Sequence, residues 1–217
     1  ETDAVILAIG HSARDTVEML YKNGAQIIQK PFSVGARIEH PQKLIDKAQY
    51  GAFAGHPKLG AADYKLSCHG LHQRGAYTFC MCPGGTVVAA ASEKGGVIVN
   101  GMSTLARDGE NANSALLVGI DPVDFPSEHP LAGMYYQREI EQNAFALGGG
   151  DYRAPAQLVG DFLADRESRA LGNVQPTCPT GVTLTNLRYC LPDKVRTTMQ
   201  AAITEMDKRL HGFALPD

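Results

Sequence analysis

The sequence predicts a mixed α+β fold, and three observations carry that prediction. Between Ala76 and Ile120 several short apolar runs follow one another, separated by Pro83-Gly84-Gly85 and Gly95-Gly96. Such spacing marks an antiparallel sheet or a partial barrel. From Pro192 to Leu210 the residues Val195, Met199, Ala202, Ile203, Met206 and Leu210 keep helical spacing. Ala4 to Ile9 is a continuous Val/Ile/Leu-rich run, as in a strand buried on both faces of a parallel sheet. Composition agrees with a folded chain. Its 217 residues carry 20 Lys plus Arg against 23 Asp plus Glu, a formal charge of -3, with 44% hydrophobic and 20% charged residues. Wholesale disorder is excluded on these values. Domination by nucleic-acid or acidic-membrane binding would need a basic excess that this chain lacks. No apolar run approaches the roughly 18 residues that span a bilayer.

The elements follow in order. After the Ala4–Ile9 run, Gly10-His11-Ser12-Ala13 forms a turn. Ser12 or Asp15 can cap a helix over about Thr16 to Lys22, which Asn23-Gly24 stops. Strand, turn and helix in this order place a ligand beyond the strand's carboxyl end. Gln26 to Gln29 reads as a short strand. In Phe32 to Glu39, Phe32, Val34, Ala36 and Ile38 alternate with Ser33, Gly35, Arg37 and Glu39, a strand pattern. Pro41 opens a helix through about Gln49, and Tyr50 to Ala62 reads as loop. Ala76 to Cys82 is a strand, with Thr86 to Ala91 as its expected hairpin partner and Val97 to Asn100 following. The polar stretch Arg107 to Ser114 reads as a connection into a strand at Ala115 to Ile120. Leu131 to Leu147 looks helical and ends at three glycines. Ala156 to Leu163 is ambiguous between strand and helix, and Arg166 to Gly181 is loop.

Three constellations could carry chemistry. Gly10 behind a buried strand lets a ligand approach the backbone, and Ser12 with the first helical amides can meet an anion. An ordinary strand-to-helix turn is the competing reading, and it is favoured on composition alone. Cys80 and Cys82 fall on one face if strict alternation holds. They could form a redox pair, or join Cys68 and His69 in a zinc site. Core filling is favoured over redox chemistry, and redox chemistry over zinc, so no metal is expected. Asn100, Arg107, Asn111 and Asn113 offer amide and guanidinium groups suited to a carboxylate or phosphate; a solvated loop is the alternative. Five cysteines, an odd number, in a chain long enough to fold without staples point to a reduced, cytoplasmic compartment.

The order of these segments resembles a known family. Asp3 to Asp15, Pro31 to Gln42, Phe79 to Gly85 with Val87 to Glu93, Asn111 to Val118, and Ala154 to Leu163 are similar to uncharacterised FAD-dependent dehydrogenases, NAD(FAD)-utilising members of the two-dinucleotide-binding-fold flavoproteins. The resemblance implies three parts. Residues 1–30 are a remnant of a FAD-binding α/β domain. Residues 31–130 are a β-rich substrate or cap domain, and residues 131–217 a mainly helical insertion. It implies FAD as cofactor of a longer parent, NAD(P)H as an electron donor, and a small-molecule substrate. Read together with the turns described above, Ile9, Gly10, His11 and Ser12 at the strand-to-helix turn and Pro83, Gly84 and Gly85 at a turn that bares its backbone are the positions expected near that cofactor, with the two thiols Cys80 and Cys82 as weak catalytic candidates. No catalytic residue transfers by motif. The G-x-G-x-x-G fingerprint is missing, Ile9 stands where related flavoproteins carry threonine, and the closing flavin motif is not found. The chain therefore reads as the middle of a longer oxidoreductase, unable to hold FAD alone. The alternatives are a non-catalytic binding or assembly module, and a cysteine-based redox or zinc protein.

Overall fold

Alternating side chains make β1, Phe32–Pro41, the strand from which the rest is assembled. In the computed structural model, which describes residues 3–217, Val34, Ile38 and His40 of β1 are buried. β1 runs antiparallel to β6, Asn111–Ile120, in register from Phe32 opposite Ile120 to Pro41 opposite Asn111. β6 pairs with β3, Arg74–Cys82, and β3 with β2, Ser67–Leu71. The order β1-β6-β3-β2 leaves β1 on an outer edge, so the sheet is open and not a partial barrel. β4, Gly85–Ala89, pairs with β5, Val99–Ser103, in a separate antiparallel ribbon. Further along, β7, Ala154–Ala156, runs parallel to β8, Val182–Leu184.

Opposed residues in an antiparallel pair share a face. Val34, Ile38, Leu116 and Val118 therefore project together with Ala76 of β3. Against them packs α5, Asp193–Asp207, through the predicted stripe: Val195, Met199, Ala202, Ile203 and Met206 are all buried. Ile45 of α2, Gln42–Tyr50, and Phe213 join the same core. α3, Ala132–Gly148, and α4, Val159–Leu163, cover the free side of β1 together with β7 and β8. The mixed α+β class holds. No helix among the described residues is long and apolar enough to cross a membrane.

Five expectations are corrected. Ala4–Ile9 forms no strand, and Val5 and Ile6 are 81% and 93% exposed. A strand needs a neighbour to satisfy its backbone, and no described strand lies beside this segment. Gln26–Gln29 lacks one for the same reason. β4 pairs with β5 and not with β3, whose neighbours are β2 and β6. Asn111 to Ser114 is not a connection: all four residues are buried within β6, where pairing with β1 overrides the turn preference of asparagine. The first helix, α1, spans Arg14–Lys22 and has Ala13 at its N-cap, without the side-chain cap expected from Ser12 or Asp15.

Candidate functional site

Arg37 alternates onto the face of β1 opposite α5, between Gly35 and Glu39. It organises a polar centre there. Its Nε donates to Asn113 Oδ1 at 2.7 Å, one strand away on β6. Its Nη2 donates to the Cys80 carbonyl at 2.6 Å and lies 3.6 Å from Cys82 Sγ. Its Nη1 has only a long contact, 3.5 Å, to Asn100 Oδ1 on β5. A side chain at Gly101 would collide with the guanidinium and with Asn113 Oδ1, so β5 passes this close only as glycine.

A β-bulge builds half of the centre. β3 is in register with β6 at Phe79 opposite Ala115 and again at Cys82 opposite Asn113, so β3 carries one extra residue between them. Cys80 adopts a left-handed φ of 44° at the bulge. Its side chain is exposed and its carbonyl turns to Arg37. Strict alternation of Cys80 and Cys82 is thereby broken. Cys80 does not fill the core, and half-buried Cys82 donates to the Cys80 carbonyl at 3.3 Å. Cys68, Cys178 and Cys190 are the buried cysteines. Burial pushes the Cys190 thiol up to about 11.

The electrostatics are unbalanced. Among the described residues no carboxylate pairs with Arg37; all its acceptors are neutral. Burial lowers its pKa below the ordinary arginine value, yet a guanidinium stays charged near neutrality. Asn113 is fully buried, and its Nδ2 has no hydrogen-bond partner among the described residues. Because Arg37 Nε fixes Oδ1 as the acceptor, the unsatisfied atom is the amide donor.

A cavity of about 550 Å³ lies along the free edge of β1, and of this centre only Arg37 is among its lining residues. Its walls are mostly apolar: Val99 of β5, Ile140 and Ala144 of α3, Leu158, and Met199 and Ile203 of α5. Two of the acids on the wall are engaged. Glu39 accepts from the Thr177 amide at 3.1 Å and from the Thr177 hydroxyl. Glu141 pairs with Arg14 at 2.7 Å and accepts from Gln137 at 2.9 Å. Asp217, the remaining acid, accepts from the Asn173 amide at 2.7 Å. Arg37 is the one cation among the lining residues.

The structure divides the other candidates. Asn100 and Asn113 join Arg37, whereas Asn111 is turned away to the Gln175 carbonyl at 2.9 Å, and Arg107 is exposed. Pro83, Gly84 and Gly85 are buried. The Gly84 amide donates to Gln42 Oε1 at 2.7 Å, and its carbonyl accepts from Gly109 at 3.1 Å. This turn therefore presents no bare backbone for a flat group to lie on. Gly10, His11 and Ser12 belong to a different region: Ser12 Oγ accepts from Ser92 Oγ at 3.0 Å, beside Asp15, Glu93 and Arg138. No group of three or more His, Cys, Asp or Glu among the described residues is arranged to hold a metal. Arg37 itself escaped the sequence reading, in which it was one polar residue in an alternating strand. The available signal was a cation in mid-strand flanked by glycine at 35 and an apolar 36 and 38.

Comparison with known proteins supplies context. A family model described as "FAD-dependent protein, C-terminal domain-like" matches residues 31–217. An uncharacterized protein of Clostridium beijerinckii is 53% identical over 216 residues. That alignment takes in 99% of this chain but 40% of the Clostridium protein.

Proposed function

The chain belongs to the FAD-dependent protein, C-terminal domain-like family, and from that premise we propose that it is the substrate-holding part of a larger FAD-dependent oxidoreductase, a dehydrogenase or reductase that draws electrons from NAD(P)H. Residues 31–130 supply the sheet wall of a substrate cap, residues 131–217 its inserted cover, and residues 1–30 the connection to the flavin-binding part. The cavity beside Arg37 carries this reading. An apolar enclosure of several hundred Å³ with a few convergent polar groups is the usual form of a small-molecule site. Arg37 orients the substrate, and the walls contributed by α3 and α5 keep water from it.

The residues of this chain do not themselves fit FAD. A dinucleotide is held by a glycine-rich turn whose amides face the pyrophosphate at a helix N-terminus. Ahead of α1 that turn has one glycine, Gly10, and Arg14 at the helix start is directed inward to Glu93 and Glu141. The backbone of Gly84 is engaged within the fold. The reading therefore leaves FAD to another part of the protein.

Flavin content tests it. The full-length Clostridium relative should purify yellow with one FAD per chain. The 217-residue chain should be colourless and should leave FAD fluorescence unchanged on titration. A full-length protein that takes up no FAD would refute the oxidoreductase reading. Stoichiometric FAD on the 217-residue chain would refute the division of labour.

A further inference from the structure

Resting on the substrate-holding reading above, we propose that the cavity takes an amphipathic anion: an apolar body carrying one carboxylate that pairs with Arg37. Three observations converge on this class. The first is charge. A partly buried cation normally has a carboxylate partner, since desolvation is otherwise uncompensated. Arg37 has only neutral acceptors; of the wall acids, Glu141 is paired with Arg14, while Glu39 and Asp217 accept from the neutral Thr177 and Asn173 and not from Arg37. The second is donor supply. Nη1 has nothing closer than Asn100 at 3.5 Å. A carboxylate has two oxygens with room for several donors and forms charge-assisted bonds with a guanidinium edge. The third is the lining. Leu158, Ile140, Met199 and Ile203 offer nothing to a sugar or a free phosphate, whose hydration would be lost without replacement. They suit a hydrocarbon body whose transfer from water is favourable.

Cys82 is the rival counter-charge. Its sulfur lies 3.6 Å from Nη2, and as a thiolate it would neutralise Arg37 without any ligand.

Calorimetric titration of the 217-residue chain with octanoate, octan-1-ol and acetate, without FAD, tests the proposal. Octanoate should bind about tenfold more tightly than octan-1-ol, the margin of one charge-assisted contact, and acetate should not bind measurably. Arg37→Met should bring octanoate down to the affinity of octan-1-ol, and Arg37→Lys should restore part of the difference. Ala144→Phe, which fills the cavity from α3, should abolish binding of both. Cys82→Ser should leave the preference for octanoate in place. Equal affinity for octanoate and octan-1-ol, or binding of neither, overturns the proposal. So does undiminished octanoate binding by a folded Arg37→Met variant. A preference that emerges only in Cys82→Ser assigns the counter-charge to the thiol and overturns it too. The flavin reading is judged on the colour of the full-length protein, so the two fail separately.

Discussion

At Gly101 a single missing Cβ decides whether Arg37 can lie against β5. Gly101→Ala should displace the guanidinium and lower stability by about 1–3 kcal/mol through overpacking. Urea denaturation and octanoate titration check it, and an unchanged midpoint would contradict the close approach. His40 makes a second residue-scale case. Its Nε2 meets the Phe213 carbonyl at 2.9 Å, its Nδ1 has no partner among the described residues, and burial lowers its pKa. The hydrogen bond to the Phe213 carbonyl and, after it, Asp207 oppose that shift without reversing it. The folded state therefore keeps His40 neutral where the unfolded chain, with an ordinary value near 6.5, takes up a proton. Stability present above that pH is lost as pH falls below it. Urea midpoints should drop from pH 7.5 to pH 5.5, and the drop should shrink in His40→Asn. Identical slopes in the two proteins would assign the loss to another group.

Elements differ in how far the sequence discloses them. α5 was legible because its periodic stripe is the very surface it buries. Met206→Ala should accordingly cost about 2–5 kcal/mol, against little for Thr204→Ala on the opposite, exposed side, as thermal melts would show. β1 was legible by alternation, and α2 by Pro41 at its start. β6 was only half legible: Ala115 to Ile120 reads as strand, but Asn111 to Ser114 imitates a loop and is strand only because β1 pairs with it. Ala4–Ile9 misled in the opposite direction, since apolar composition describes a side-chain preference and not the presence of a neighbouring backbone. The candidate site was least legible of all. Asn100, Asn113, Cys80 and Cys82 could be listed from the sequence, yet the bulge that separates the cysteines and the cation that gathers the asparagines arise from pairing between strands distant in the chain.

For the whole molecule, one ion-pair network fastens α1 to the body. Arg14 is 4% exposed and joins Glu141 of α3 at 2.7 Å and Glu93 at 2.6 Å; Arg138 bridges Glu93 and Glu18. Arg14→Met would leave Glu141 buried without its cation, at a cost of about 3–5 kcal/mol, and should open residues near Lys22 to trypsin. The Arg138 and Arg14 guanidinium groups hold Glu93 down to about 2, from an ordinary 4.5. Its contribution is complete above pH 4.5 and disappears as pH falls towards 2, so proteolysis of α1 should accelerate across that window. Resistance unchanged between pH 5 and pH 2.5 would free α1 from this network. Ahead of this fastened helix lie Val5, Ile6 and Leu7, exposed and within a run without charge or proline. Such a hexapeptide can stack with its copies on neighbouring molecules into cross-β ladders. Concentrated solutions should gain thioflavin-binding fibrils on standing, and a gatekeeper substitution, Ile6→Lys, should keep them clear while leaving the melting temperature of the folded part where it was.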